Sequence, residues 1–267
     1  GSEMCIRDRV NGVQITTPFE KLEAEGGKYE EIKNATKAGV DIKTDVTNDS
    51  DTEATGVSVK STVYNKESDV ISTQTDDITV AAGKTETISQ SVDVANPKLW
   101  SVDSPNLYWV RTEIIQNGKV VDRTDSRFGI RYIATNPNSG FYLNGVHTKL
   151  NGVCEHSDLG SLGMETYQAA VDRRIRTLKK YGVNAIRTSH NPVSPEFIEA
   201  CDRLGMLVFE EAFDQWLYSK NSDDYHNYFN KAADGKTVVF DKAGNDNTNN
   251  DTSYIEVKRE DLQSNAE

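Results

Sequence analysis

Cysteine is scarce: three residues in 267, Cys5, Cys154 and Cys201, an odd number placed far apart. That argues against a disulfide framework or a metal knot. Cys154 and Cys201 fall within expected core elements, so they read as buried free thiols. The four histidines and nearby acids show no zinc spacing, so neither metal nor cofactor is expected. No apolar run approaches the ~20 residues of a membrane helix, and no membrane partner is expected. Positive charge is also short. A net charge of −12 argues against nucleic acid, whose phosphates need a basic face. No secretion signal is visible, but GSEMCIRDR has no periodicity and reads as a non-native or disordered leader over residues 1–9. The compartment therefore stays open between cytoplasm and secretion.

What is present divides into two grammars, as a length of one large or two ordinary domains allows. From about Val10 to Ile133 the apolar residues alternate with period two: Val13–Thr16, Val40–Val46, Val57–Tyr64, Thr85–Val94 and Leu107–Gln116. Turn formers punctuate them at Asn48-Asp49-Ser50-Asp51, Ala82-Gly83-Lys84 and Asn117-Gly118, the last a two-residue hairpin signal. About seven short strands in this span predict an antiparallel β-sandwich of immunoglobulin-like kind. No Cys…Trp…Cys arrangement makes it an antibody-type domain, and nothing in it reads as a chemical site.

After Ile133 the pattern changes. Thr135–Gly140 reads as a linker or turn, Phe141–Val146 as a small hairpin, and His147–Val153 as a strand ending at Cys154-Glu155-His156-Ser157-Asp158. A helix over roughly Glu165–Tyr181 places Tyr167, Val171, Ile175 and Leu178 on one face and basic residues opposite. Asn184–Thr188 reads as a strand opening into Ser189-His190-Asn191-Pro192. Ser194 and Pro195 then start a helix with Phe197, Cys201 and Leu204 buried, and Gly205 ends it. Met206–Phe209 is a covered parallel strand followed by Glu210, Glu211, Asp214 and Trp216. Strand–helix–strand–helix–strand begins a parallel α/β fold, which pattern alone leaves as barrel or open sheet. The glycine fingerprint for phosphates is absent from its first strand–helix turn, which counts against a nucleotide fold. Ionisable residues gather at the carboxyl ends of the strands, where such folds place their chemistry.

The segments NPKLWSVDSPNLY, FGIR, FYLNG, GVCEHSDLGSLG, NAIRTSHNP, ACDRLG and EEAFDQW, in that order, resemble glycoside hydrolase family two, the β-galactosidase and β-glucuronidase family. The resemblance covers about Val13–Trp216. It implies a multi-domain β plus α/β chain: a sandwich over 10–133, then over 134–267 the first three βα units of a (β/α)₈ TIM barrel, with 217–267 an insertion loop or tail. The family's jelly roll and most of the barrel would be missing. The implied function is that of a partial retaining β-glycosidase, β-galactosidase-like, acting on terminal O-glycosidic bonds. A non-catalytic carbohydrate-binding or interaction module is the alternative. The resemblance does not choose among galactoside, glucuronide and mannoside. Relatives are bacterial, cytoplasmic or secreted, and often homo-oligomeric.

Family members work with two glutamates about 5–5.5 Å apart, the acid/base lying in an Asn-Glu pair on a later strand. This sequence has no Asn-Glu pair, and the adjacent Glu210 and Glu211 point to opposite sides of a strand, so no catalytic residue is assigned and the chain alone is expected to be inactive. The resemblance instead implies substrate-binding roles for His156, Asp158, Arg187, His190, Asn191, Glu211, Asp214 and Trp216. Arg187 would hold carboxylates or pair with Glu211, and both can be true. Asn191 and Pro192 could instead shape the turn, and Trp216 could stack on a sugar or cap the barrel. Some relatives place a Mg²⁺-binding Glu-x-His after the third strand. Gln215, Trp216 and Leu217 stand there instead, so no metal is expected. Asp241–Thr252 reads as an exposed loop, and Val257–Ala266 as the start of a third barrel helix or as disordered tail.

Overall fold

The computed structural model describes residues 4–6, 12–18, 23–24, 35–190 and 192–211. They fall into two compact units, one of residues 1–150 with 201–206, the other of 151–200 with the stretch from 207 onward.

The two large sheets of the first unit contain nine described strands: β1 (Met4–Ile6), β2 (Val13–Thr16), β3 (Glu23–Ala24), β4 (Ala35–Asn48), β5 (Ala54–Tyr64), β6 (Val70–Val80), β7 (Thr85–Ala95), β8 (Tyr108–Gln116) and β9 (Lys119–Phe128). The fourteen-residue β4 carries one antiparallel sheet. It pairs with β7 from Lys37↔Ala95 to Thr47↔Thr85 and with β1, β2 and β3 along its other edge. The second sheet runs β6-β5-β8-β9. Alternation explains which faces meet: Val40, Ile42 and Val46 of β4, Val57, Val59 and Val63 of β5, and Val110 and Ile114 of β8 are all buried. The core is two apolar clusters, one around Ile42, Val63, Val92 and Val110, the other around Val46, Val59, Val80 and Ile114.

Between the clusters lies a polar layer of buried Thr44, Ser61, Gln90 and Thr112. Gln90, on β7, ties the sheets together. Its Nε2 donates to Val59 O (3.0 Å) and to Asp76 Oδ2 (2.8 Å), and its Oε1 accepts from Ser61 Oγ (2.6 Å). The β8–β9 turn is the Asn117-Gly118 hairpin, with φ of +50° and +77° closing Gln116 against Lys119.

Two stretches differ from the sequence reading. Met4–Ile6, in the stretch set aside as a leader, pairs antiparallel with Val46–Asn48, where β4 runs past β2 and offers unpaired backbone groups. The first compact unit runs on to residue 150. Thr135–Gly140 is not all linker: β10 (Ile133–Asn136) pairs with β11 (Gly140–Leu143), which pairs with β12 (Val146–His147). Asn144 ties this hairpin down. Its Nδ2 donates to Trp100 O (2.9 Å), its Oδ1 accepts from Tyr132 N–H (2.8 Å), and Trp100 N–H donates to Ile130 O (2.7 Å).

From residue 151 on come β13 (Gly152–Glu155), α1 (Gln168–Lys180), β14 (Ala185–Thr188), α2 (Pro195–Leu204) and β15 (Leu207–Phe209), with the strands parallel in the order β13-β14-β15. On α1, Val171 and Ile175 are buried as expected, whereas Tyr167 is exposed just before the helix. Ser194 caps α2, its Oγ accepting from Phe197 N–H at 3.3 Å, and Gly205 (φ +75°) ends it with N–H donation to Cys201 O. Asn184, just before β14, bonds to the chain leading into β13 and to the start of β15. Its N–H donates to Asn151 O, its Oδ1 accepts from Asn151 N–H, and its O accepts from Leu207 N–H.

Asn144 holds two buried backbone groups from a residue at φ +52°. Asn144→Ala removes both bonds and disfavours that conformation, so urea unfolding should show a loss of about 2–3 kcal/mol. Asn144→Gly, which tolerates the conformation but cannot bond, should recover only part of it.

Candidate active site at the carboxyl ends of the parallel strands

Register brings side chains from all three strands into rows. Cys154, Arg187 and Phe209 are aligned partners and share one exposed face, while Val153, Ile186 and Val208 share the other. The row beyond ends in polar groups. Arg187 Nε donates to Glu211 Oε1 at 2.5 Å, and His190 Nδ1 lies 2.7 Å from Glu211 Oε2. Glu211 N–H is itself held by Thr188 Oγ1 at 2.9 Å. The Glu211 side chain is 16% exposed beneath partners that are 46% (Arg187) and 45% (His190) exposed. A carboxylate only accepts, so Nδ1 of His190 carries the proton and Nε2 is left for another partner.

Donation from His190, reinforced by Arg187, holds the Glu211 carboxyl below the ordinary glutamate value, and the same contact raises Arg187. Glu211 is therefore an anion near neutrality, unable to act as a proton donor there.

The turn after β13 completes the described site. His156 and Asp158 are exposed, and the His156 ring stands edge-on to His190 with centroids 6.3 Å apart. Arg174, on α1, pairs with Glu155 at 2.9 Å and donates to the backbone oxygens of His156 (3.4 Å) and Asp158. A cleft beside this turn is lined by Leu159, Met164, Val171, Arg174, Val193 and Phe197, among others.

Of the eight residues singled out from sequence, Arg187, His190 and Glu211 meet directly, and His156 stands beside His190. Asp158 lies on the same turn as His156, 3.7 Å from Arg174 Nη2. Asn191, Asp214 and Trp216 lie outside the described residues, as does the stretch from 212 on. Sequence reasoning missed Thr188 and Arg174. It placed Arg174 on the solvated face of α1, because a helical period does not reveal that a side chain reaches a neighbouring turn. Cysteine needs correction. Cys201 is buried, but Cys154 is exposed, because β13 turns it to the same open face as Arg187, whose Nη1 lies 3.9 Å from its Sγ. No group of three or more His, Cys, Asp or Glu able to hold a metal occurs among the described residues, and no described helix is long and apolar enough to cross a membrane.

The cysteines should react differently. Burial pushes the Cys201 thiol up to about 12, so alkylation of the folded protein at pH 8, read by peptide mass mapping, should modify Cys154 and spare Cys201. The Glu211 cluster has its own signature. Its lowered carboxyl contributes stability above the ordinary value of 4.5 and loses it as pH falls through the folded value. A ¹³C carboxyl titration should therefore place the Glu211 midpoint below 4.5, and Arg187→Gln should move it upward.

Two family models match in succession: glycosyl hydrolases family 2 over residues 28–131, and the family 2 TIM barrel domain over residues 135–256. A β-galactosidase of Bacteroides ovatus is 39% identical over 195 residues, 73% of this chain and 23% of its own length. A putative β-glucuronidase of Formosa agariphila is 43% identical over 137 residues, 51% of this chain and 13% of its own. A crystal structure of a family 2 member from Bacteroides cellulosilyticus superposes with a TM-score of 0.73 at 34% identity, covering 85% of this chain and 27% of that one. A Bacteroides uniformis β-glucuronidase does so with a TM-score of 0.70 at 27% identity, covering 84% and 26%. The chain thus spans about a quarter or less of the length of these relatives. The fold is a β-sandwich followed by part of a TIM barrel, with no closed barrel among the described residues. The chain belongs to glycosyl hydrolases family 2.

Proposed function

We propose that the chain supplies the sugar-binding side of a retaining β-glycosidase that hydrolyses terminal β-galactosides, with both catalytic glutamates contributed from elsewhere in the barrel. The observation that carries this is Glu211, clamped by Arg187 and His190 at the carboxyl end of parallel strands. A carboxylate already saturated by two donors is suited to orient neighbours and accept hydroxyls, not to attack or to protonate a leaving group. His190 Nε2, His156 and Asp158 provide further hydroxyl partners on the same rim. The two arginines here are already paired, Arg187 with Glu211 and Arg174 with Glu155, which favours a neutral sugar over a uronate. The name of the Bacteroides ovatus relative agrees with a galactoside, while the β-glucuronidases among the relatives keep the uronate as the competing outcome.

Saturation-transfer NMR on the 267-residue chain should detect isopropyl β-thiogalactoside at millimolar affinity, with a smaller response to the matching thioglucuronide. Arg187→Gln and His190→Gln should each weaken the galactoside by about tenfold, the size of one charge-assisted hydrogen bond. Nitrophenyl β-galactoside should not be turned over above the blank. Turnover that Glu211→Gln abolishes would overturn the assignment of Glu211 as a binding anion.

A further inference from the structure

We propose that Arg174 is a positioning residue: it fixes the backbone turn that carries His156 and Asp158 and so sets the affinity of the site for sugar. This rests on the carbohydrate reading above. Arg174 lies on α1 between buried Val171 and buried Ile175, at the border of the helix's covered face. Helical side chains lean toward the N-terminus, which carries its stem back over the turn that follows β13. Its side chain is only 23% exposed.

The contacts are selective. Nη1 meets Glu155 Oε2 at 2.9 Å and His156 O at 3.4 Å. Nη2 donates to Asp158 O and lies 3.7 Å from Asp158 Oδ1. His156 O also accepts from Asp158 N–H at 2.7 Å, so the turn is already tight and the guanidinium grips both carbonyls flanking Ser157. A planar fork of donors can span two carbonyls and a carboxylate at once. A lysine ammonium at the same place would keep the charge opposite Glu155 but could not hold all three. The consequence is positional. His156 stands edge-on to His190, which is bonded to Glu211, so a shift of the turn would part His156 from the cluster it borders. Binding geometry is sensitive at the scale of 1 Å.

The test compares Arg174→Lys, Arg174→Gln and His156→Ala in the full 267-residue chain. Three quantities are read: melting temperature, hydrogen exchange of the Asp158 amide, and affinity for isopropyl β-thiogalactoside by saturation-transfer NMR. Arg174→Lys should melt within about 3 °C of wild type, since the charge opposite Glu155 is kept and only the contacts to the turn are altered. Its Asp158 amide should exchange about tenfold faster and its sugar affinity should fall about tenfold. His156→Ala should lose affinity without changing Asp158 exchange. If Arg174→Gln is too unstable to read, Arg174→Lys decides alone. Wild-type affinity in Arg174→Lys, whatever its exchange rate, reduces Arg174 to a brace and overturns the proposal while leaving the carbohydrate reading intact. Failure of the wild-type chain to bind either thioglycoside overturns the carbohydrate reading and the positioning role together.

Discussion

A carboxylate that is largely covered must find donors, and around this rim Glu211 organises the described groups. Thr188 fixes its backbone, Arg187 supplies charge and His190 takes the second oxygen. None of the three could do so unless β14 and β15 ended level with one another. That follows from the pairing of Arg187 with Phe209, part of a parallel ladder that opens with the Leu207 N–H to Asn184 O bond. The asparagine side chain adds a bond only on the Asn151 side, and the β15 side is ordinary main-chain pairing.

Much of this was legible from sequence, for identifiable reasons. Strands with one buried face announce themselves: Val40, Ile42 and Val46 alternate with Asp41, Lys43 and Asp45, and the pleat buries the first set. β6 is harder. Along Val70–Val80 only Val80 is buried, so an edge strand of Ser, Thr, Gln and Asp leaves no apolar period to read. Cys154 was misplaced because a short strand shows its ends but not its facing. In Gly152–Glu155 a one-residue difference separates core from open face. Arg187, His190 and Glu211 could be named because each sits at or just past a strand end. Arg174 could not, because its role is a contact with backbone oxygens, which no residue pattern encodes.

The division of labour between the units is chemical as well as architectural. In the first unit Asn144 satisfies buried backbone groups of Trp100 and Tyr132, while Thr44 Oγ1 and Thr112 Oγ1 are buried with no hydrogen-bond partner among the described residues. At the ends of the parallel strands His190, Arg187 and Cys154 face outward, Arg187 and His190 both held by Glu211. Internally satisfied groups stabilise a scaffold, whereas outward-facing ones at the rim make a site.

The polar layer inside the sandwich has a further consequence for accuracy in folding. Valine-rich strands slide readily, because one branched side chain fills a neighbour's place almost as well as another. If β7 slipped by two residues against β4, Ile88 or Val92 would stand in place of Gln90, and Ser61, Asp76 and Val59 O would lose the one group that reaches all three. The valines of β7 would still face inward, so the pleat alone does not reject such an error. The glutamine acts as a proofreading device, rejecting alignments that the hydrophobic residues would accept.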